Sequence, residues 1–245
     1  MIAQDLVPLK GPVLDESARR VWLDGGMSAS LSFLPALSRP DLLAVPVAGA
    51  LRAWPGGEEV QVAEIDPALA DTAAFCERYG VSSAESANCV VIAARRGGNT
   101  TYAACVVTAL TRADVNGLVR RHLDARKASF APVADVTAAT GMDYGGITPV
   151  GLPADWPVLV DEVVAKTGSV VIGSGIRGSK LRLPGRLVAA IPSAQVLPGL
   201  GVCRNKMGQQ REGPTSARTI RVHRSLPSVA THGGASRTCH QGTSP

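Results

Sequence analysis

Eleven residues, Gly141-Met142-Asp143-Tyr144-Gly145-Gly146-Ile147-Thr148-Pro149-Val150-Gly151, put four glycines, a threonine and a proline into one loop, and the strand-like run Pro157-Val158-Leu159-Val160-Asp161 follows closely. Glycine lets the backbone take positive φ and approach a ligand with no Cβ in between. Pro149 fixes its own φ and drives Thr148 out of the helical region. Such a loop can aim several main-chain N–H groups at one point, as an anion or a developing oxyanion requires. A second glycine-rich turn, Gly173-Ser174-Gly175-Ile176-Arg177-Gly178, opens out of the apolar run Ser169-Val170-Val171-Ile172. It lacks the Gly-Lys-Ser/Thr ending of a phosphate loop and the third-glycine spacing of a dinucleotide fingerprint. A structural turn at a pocket rim explains it equally well.

Other chemistries find little support. There is no Gly-x-Ser-x-Gly elbow, and His122 is the sole histidine before the C-terminal segment. It sits at helical spacing with Leu118 and Leu123, which suits a surface or boundary role. No cluster of His, Cys, Asp or Glu has metal-ligand spacing, so no metal and no cofactor is expected. The five cysteines, Cys76, Cys89, Cys105, Cys203 and Cys239, contain no Cys-x-x-Cys pair. They read as small hydrophobes in a reducing cytoplasm. The start of the chain lacks the order of a signal peptide, and no run approaches the roughly 18 apolar residues of a membrane span.

The elements that must position the loops follow from periodicity and punctuation. Arg39-Pro40-Asp41 starts a helix with Leu42, Leu43, Val47 and Leu51 on one face, ended by Pro55-Gly56-Gly57. Val60, Val62 and Ile65 alternate as a strand. Asp66-Pro67 starts a second helix through Ala70, Ala74 and Phe75, stopped by Gly80. Cys89 to Ala94 and Tyr102 to Val107 read as buried strands, with Arg95-Arg96-Gly97-Gly98-Asn99 between them as a hairpin turn of glycine chemistry. A helix carries Asp114 to Leu123, a short strand lies at Ser129-Phe130, and a helix around Val136 ends at Gly141. Leu181-Arg182-Leu183 alternates like a half-exposed strand, and Pro184 to Ile191 reads as a last helix. Interleaved helices and strands with hairpins among them predict a mixed α/β (α+β) fold rather than a pure doubly wound sheet.

The 245 residues are 45% hydrophobic but only 4% aromatic, so the core must be aliphatic. The net charge of +5 is misleading. From Arg204 on, seven basic residues face the single acid Glu212, a surplus of six that leaves residues 1–203 at −1. A basic-patch argument for nucleic acid therefore cannot rest on the body. Three segments are expected: a flexible extension over 1–33, a folded domain over 34–202 and a disordered basic tail over 203–245. The tail's composition cannot bury enough surface to offset chain entropy, and a basic RNA-binding arm is its functional alternative.

Taken together, the loops resemble the YbaK/prolyl-tRNA-synthetase-associated aminoacyl-tRNA editing family, whose members deacylate mischarged tRNAs. Tyr144 to Gly151 is similar to that family's Gly-Gly-x-Ser/Thr-Pro-x-Gly loop, and Leu159-Val160-Asp161 to its strand ending in Asp. Ile172 to Gly178 matches its later glycine turn, and Ala125-Arg126-Lys127 with Ala131 its basic turn. The pieces occur in family order over roughly 60–195. The resemblance implies a single domain with a curved central mixed sheet flanked by helices. It implies an aminoacyl-tRNA deacylase for which the acceptor end of a charged tRNA is the partner, with a synthetase as a possible second one. A monomer, no membrane and a cytoplasmic location go with it.

In that reading the amides of Gly145 and Gly146 stabilise the oxyanion. Asn88 and Asp161 join them as catalytic residues. Thr148, Pro149, Gly151, Gly173, Gly175 and Lys180 contact substrate, Lys180 as a phosphate contact. Asn88 marks a departure, because many members carry a lysine there and an amide cannot supply a cation. Asp161 has two readings, pocket wall or cap of the helix beginning near Glu162. Two rival functions stay open: a non-catalytic tRNA- or synthetase-binding module, and a hydrolase of small esters or nucleotides.

Overall fold

The computed structural model describes residues 30–203. The expectations for residues 1–29 and for the tail beyond Cys203 lie outside the described residues.

The longest elements are β3 (Ala87–Arg96) and β4 (Asn99–Thr108), antiparallel in register from Ala87↔Thr108 to Arg96↔Asn99. Their turn is Gly97-Gly98 with φ of 56° and 87°. Two successive positive φ values make the twist-compatible two-residue hairpin turn, which is why a diglycine occupies it. The strand β7 (Val158–Asp161) runs parallel to β4, and β10 (Ala194–Leu197) parallel to β7. On the other side β6 (Lys127–Phe130) is antiparallel to β3, giving the order β10-β7-β4-β3-β6. Ala103 to Thr108 of β4 are all buried, as expected of a central strand covered on both faces.

A second sheet is wholly antiparallel, in the order β1-β2-β9-β8. Its strands are β1 (Leu34–Pro35), β2 (Gln61–Glu64), β8 (Val170–Gly173) and β9 (Ser179–Leu183). Strands β5 (Thr111–Ala113) and β11 (Gly201–Cys203) form a separate ribbon. The two large sheets meet through one isolated parallel bridge, Ser86↔Val171. Val171 N–H donates to the Glu85 carbonyl and Ala109 N–H to that of Ser86, both at 2.7 Å. The fold is therefore mixed α/β, in agreement with the residue pattern.

Helices α1 (Val45–Ala53), α2 (Thr72–Tyr79), α3 (Val133–Thr140), α4 (Glu162–Lys166) and α5 (Gly185–Val188) pack around these sheets. The main core is aliphatic, with Val47 and Leu51 of α1 against Val62, Val106, Val160, Ile172 and Leu181. A smaller cluster gathers Ile92, Cys105, Leu159 and Leu200.

Several local expectations need correction. The helix expected from Asp41 is a 3₁₀ turn, Pro40–Leu42, followed by α1. Leu43 between them is extended, and Pro46 has no N–H to carry a helix through the join. The helix expected from Asp66 to Phe75 is also two elements. Asp66 accepts from Ala68 N–H and caps a 3₁₀ turn, Pro67–Leu69. Asp71 accepts from Ala73 N–H and starts α2 afresh. Two Asp caps five residues apart thus impose two starts. The segment after Asp114 begins as a π turn, Val115–Val119, because the Asp114 carboxylate accepts from both Gly117 and Leu118 N–H. Strand β9 is buried except at Arg182, since β2 and β8 flank it. The last helix spans only Gly185–Val188.

Two glycine substitutions separate packing from propensity. Gly175 has φ +88°, and a Cβ there would lie 2.4 Å from the Ala44 Cβ. Gly175→Ala should lower the unfolding free energy by about 2 kcal/mol. Gly49 is exposed in α1 with nothing within 4 Å of its would-be Cβ. Gly49→Ala should stabilise by about 0.5–1 kcal/mol. Urea titration of both variants measures the contrast.

Candidate functional site

The two glycine loops are stitched to each other. In the first, Gly146 N–H donates to the Asp143 carbonyl at 2.9 Å, closing a turn with Gly145 at φ +89°. A third turn residue with that φ is the type II signature, which glycine satisfies without strain. Asp143 N–H then donates to the Gly175 carbonyl at 2.8 Å, and Gly175 N–H to the Gly146 carbonyl at 2.7 Å. Arg177 clamps the rim. Its Nη1 donates to the Tyr144 carbonyl at 3.1 Å and its Nη2 to the Pro67 carbonyl at 3.0 Å.

A cavity of about 670 Å³ opens where the two sheets adjoin. Its walls come from Ser86 and the start of β3 (Ala87 to Val90), from Val171 to Gly173 of β8, and from Ala70 to Ala73 at the start of α2. Gly145 and Ile147 add one edge, and Arg112 and Phe130 another. That volume is of the size that holds a small organic ligand. Three cationic side chains line it, Arg112, Arg177 and Lys180, against one carboxylate, Asp71. The surplus is local, since residues 1–203 sum to −1.

Of the residues singled out from sequence, Asn88, Gly145, Gly173 and Lys180 line this cavity. Gly146, Thr148, Pro149, Gly151, Gly175 and Asp161 are not in its lining. The Gly146 amide is already used by Asp143, so an oxyanion role for that N–H needs correction. A Cβ on Gly146 would lie 2.5 Å from the Ile176 carbonyl oxygen, and one on Gly173 2.3 Å from the Gly146 oxygen. Gly151 and Gly175 likewise press on Pro46 and Ala44 at the start of α1. These glycines are there so that loops and helix can touch. Thr148 is fully buried, its hydroxyl without a partner. Asp161 is buried, its carboxylate accepting from Val163 N–H at the start of α4, so the cap reading describes its contacts. Burial raises its pKa, partly offset by main-chain N–H bonds from Val163 and Gly201.

The amides of Gly145 and Ile147, both in the lining, make no hydrogen bond among the described residues. Asn88, half-buried on β3, accepts at Oδ1 from the Thr72 hydroxyl at 2.6 Å, which leaves its NH₂ to donate elsewhere. Lys180 is 7% exposed. Its Nζ donates to the Ala70 carbonyl at 3.0 Å and lies 5.4 Å from the Phe75 ring centre. Burial pulls its pKa below the ordinary value, with Arg177 acting the same way and Cys76 and Asp71 opposing. The register Gly173↔Lys180 places it beside the glycine turn.

Thiol and imidazole chemistry are poorly served. Cys89 lines the cavity, but burial drives its pKa far up, and Cys105 next to it in the core is pushed up to about 12. His122 is exposed and bonded to Gln195 at 2.7 Å, away from the cavity lining. Among the described residues no group of three or more His, Cys, Asp or Glu could hold a metal ion, and no helix is long and apolar enough to cross a membrane.

A family model described as an aminoacyl-tRNA editing domain matches residues 66–190. No curated protein matches significantly. Solved structures share the fold. One, described as a candidate trans-editing enzyme for prolyl-tRNA synthetase, is 22% identical with a TM-score of 0.55, over 63% of this chain and 94% of that one. A hypothetical protein is 20% identical with a TM-score of 0.56, over 64% and 99%. A scaffold protein from work on computational epitope grafting is 24% identical with a TM-score of 0.55, over 63% and 95%.

Lys180 has a pH signature. Its pKa is lower folded than the ordinary 10.5. Between those two values the unfolded chain binds the extra proton, so stability rises with pH across that window. Lys180→Met should abolish this rise while the protein still folds. Urea unfolding at stepped pH up to about 10 measures it.

Proposed function

The chain belongs to the aminoacyl-tRNA editing domain family, and on that premise we propose that it is a trans-acting deacylase that hydrolyses the ester of a mischarged tRNA. The observation that carries the reading is the cation-surplus cavity at the junction of the sheets, with unengaged donors on its wall. An aminoacyl-tRNA ends in a phosphodiester chain and an ester, so its acceptor end needs both positive charge and oxyanion donors. Lys180 and Arg112 supply charge toward the phosphates. The Gly145 and Ile147 amides and the Asn88 NH₂ are the donors for the tetrahedral oxyanion. Water adds its hydroxyl to the acyl carbon, the bond to the ribose oxygen breaks, and that oxygen takes the proton. Free amino acid and a tRNA with a free ribose hydroxyl leave. No protein nucleophile is assigned, in keeping with the raised pKa of Cys89.

Engagement of the Gly146 amide and the amide side chain at Asn88 favour a second reading, a module that binds tRNA or a synthetase without turnover. A cytoplasmic monomer acting on the acceptor end is the working form under either reading.

Deacylation assays over a panel of mischarged tRNAs decide between them. Turnover of at least one is expected. Binding without turnover of any would hand the assignment to the module. Asn88→Ala and Lys180→Met should each lower kcat/KM by about 10–100-fold, the loss of one charge-stabilising donor. Cys89→Ser should stay within about twofold of the parent, since a protonated thiol attacks poorly.

A further inference from the structure

We propose that Phe130 and Tyr144 form the stacking surface that takes the terminal nucleobase of the RNA at the mouth of the cavity. The proposal rests on the deacylase reading for the identity of that RNA and deepens it by naming what holds the end of the strand.

Aromatic residues are scarce here, and most of the described ones are occupied. Phe75 is buried against Tyr79 with ring centres 5.3 Å apart, and Tyr102 pairs with Trp156 at 4.9 Å. Phe33 lies under the Arg182 guanidinium at 3.8 Å, and Trp54 packs on the main core. Phe130 and Tyr144 differ. They are 65% and 64% exposed, belong to separate elements, and both line the same cavity. A lone exposed aromatic needs no explanation. Two on the edge of one cation-lined opening are a recognition pattern for a ligand with a flat ring and a negative charge.

Neither ring holds the fold. Phe130 ends β6, an edge strand, where the register Ile92↔Phe130 is a main-chain matter. Tyr144 is the second residue of the Asp143–Gly146 turn, and Arg177 grips its carbonyl. The backbone under the Tyr144 ring is thus fixed while the ring itself is open to solvent. The side chain of Arg112, also in the lining, has no hydrogen bond or ion pair among the described residues and is free to meet a phosphate. Base on aromatic face, phosphate on Arg112 and ester at the inner wall together describe the end of a single strand. An apolar peptide would bring no anion to the three cations.

The test uses the full chain and an uncharged acceptor-stem hairpin RNA with 2-aminopurine as its last nucleotide. Fluorescence titration reads stacking and affinity together. Phe130→Ala and Tyr144→Ala should each weaken binding about tenfold and remove the quenching of the terminal base. Tyr144→Phe should behave like the parent. An RNA abasic at the last position, carrying a 5′ fluorescein read by anisotropy, should bind the parent and both alanine variants equally. No binding by the parent, unchanged affinity in both alanine variants, or an equal loss with the abasic RNA would overturn the proposal. Ring-dependent binding without deacylation of any charged tRNA would remove the deacylase reading and leave the stacking surface standing. Deacylation indifferent to both rings would do the reverse.

Discussion

The site depends on one mutual contact, the reciprocal hydrogen bonding of the Asp143–Gly146 turn with the Gly173–Gly175 segment. Each loop alone would be a floppy run of small residues. Joined, they satisfy one another's main-chain groups, and the missing side chains at Gly146 and Gly173 allow the backbones within contact distance. Buried peptide groups without partners are costly, so this pairing gives a glycine-rich region a definite shape. Arg177 extends the junction to Pro67 and so ties the loop pair to the approach of α2.

That pair borders a cavity between two sheets that share the core and are joined by the isolated bridge Ser86↔Val171. The candidate groups lining it come from both. Asn88 rides on β3 of one sheet, Lys180 on β9 of the other, and Gly145 on the loop between. A polar wall of this kind cannot be assembled from one element. Within residues 1–203, which sum to −1, the cavity lining carries three cations against the one carboxylate of Asp71. Lys180 bears a desolvation cost that its carbonyl partner and the Phe75 face offset in part.

The fold class and most strands were legible because alternation, diglycine and Asp-Pro punctuation act locally. The Gly97-Gly98 hairpin needs no tertiary information. Strands β5, β10 and β11 were not legible. Each has three or four residues, and β10 is largely exposed, so pairing partners alone define them. The split at Ala70-Asp71 was hidden because Asp66 already supplied one valid start. At the cavity, residue types pointed to loops that border it but not to their faces. Nothing local distinguishes a glycine that faces a ligand, as Gly145 does the cavity, from Gly146, whose Cα faces the Ile176 backbone. Phe130 and Tyr144 carried no pattern at all, because their common position exists only once the chain is folded.

The balance of three cations to one carboxylate in the cavity has a thermodynamic corollary. The logarithm of affinity for a single strand falls with the logarithm of salt concentration at roughly 0.7 per neutralised phosphate, so three contacts give a slope near −2 at most. A nucleic-acid site of that kind is only modestly sensitive to ionic strength. Under the proposed function, counterion release contributes little to holding the strand, and discrimination among strand ends falls to shape and hydrogen bonding within the cleft.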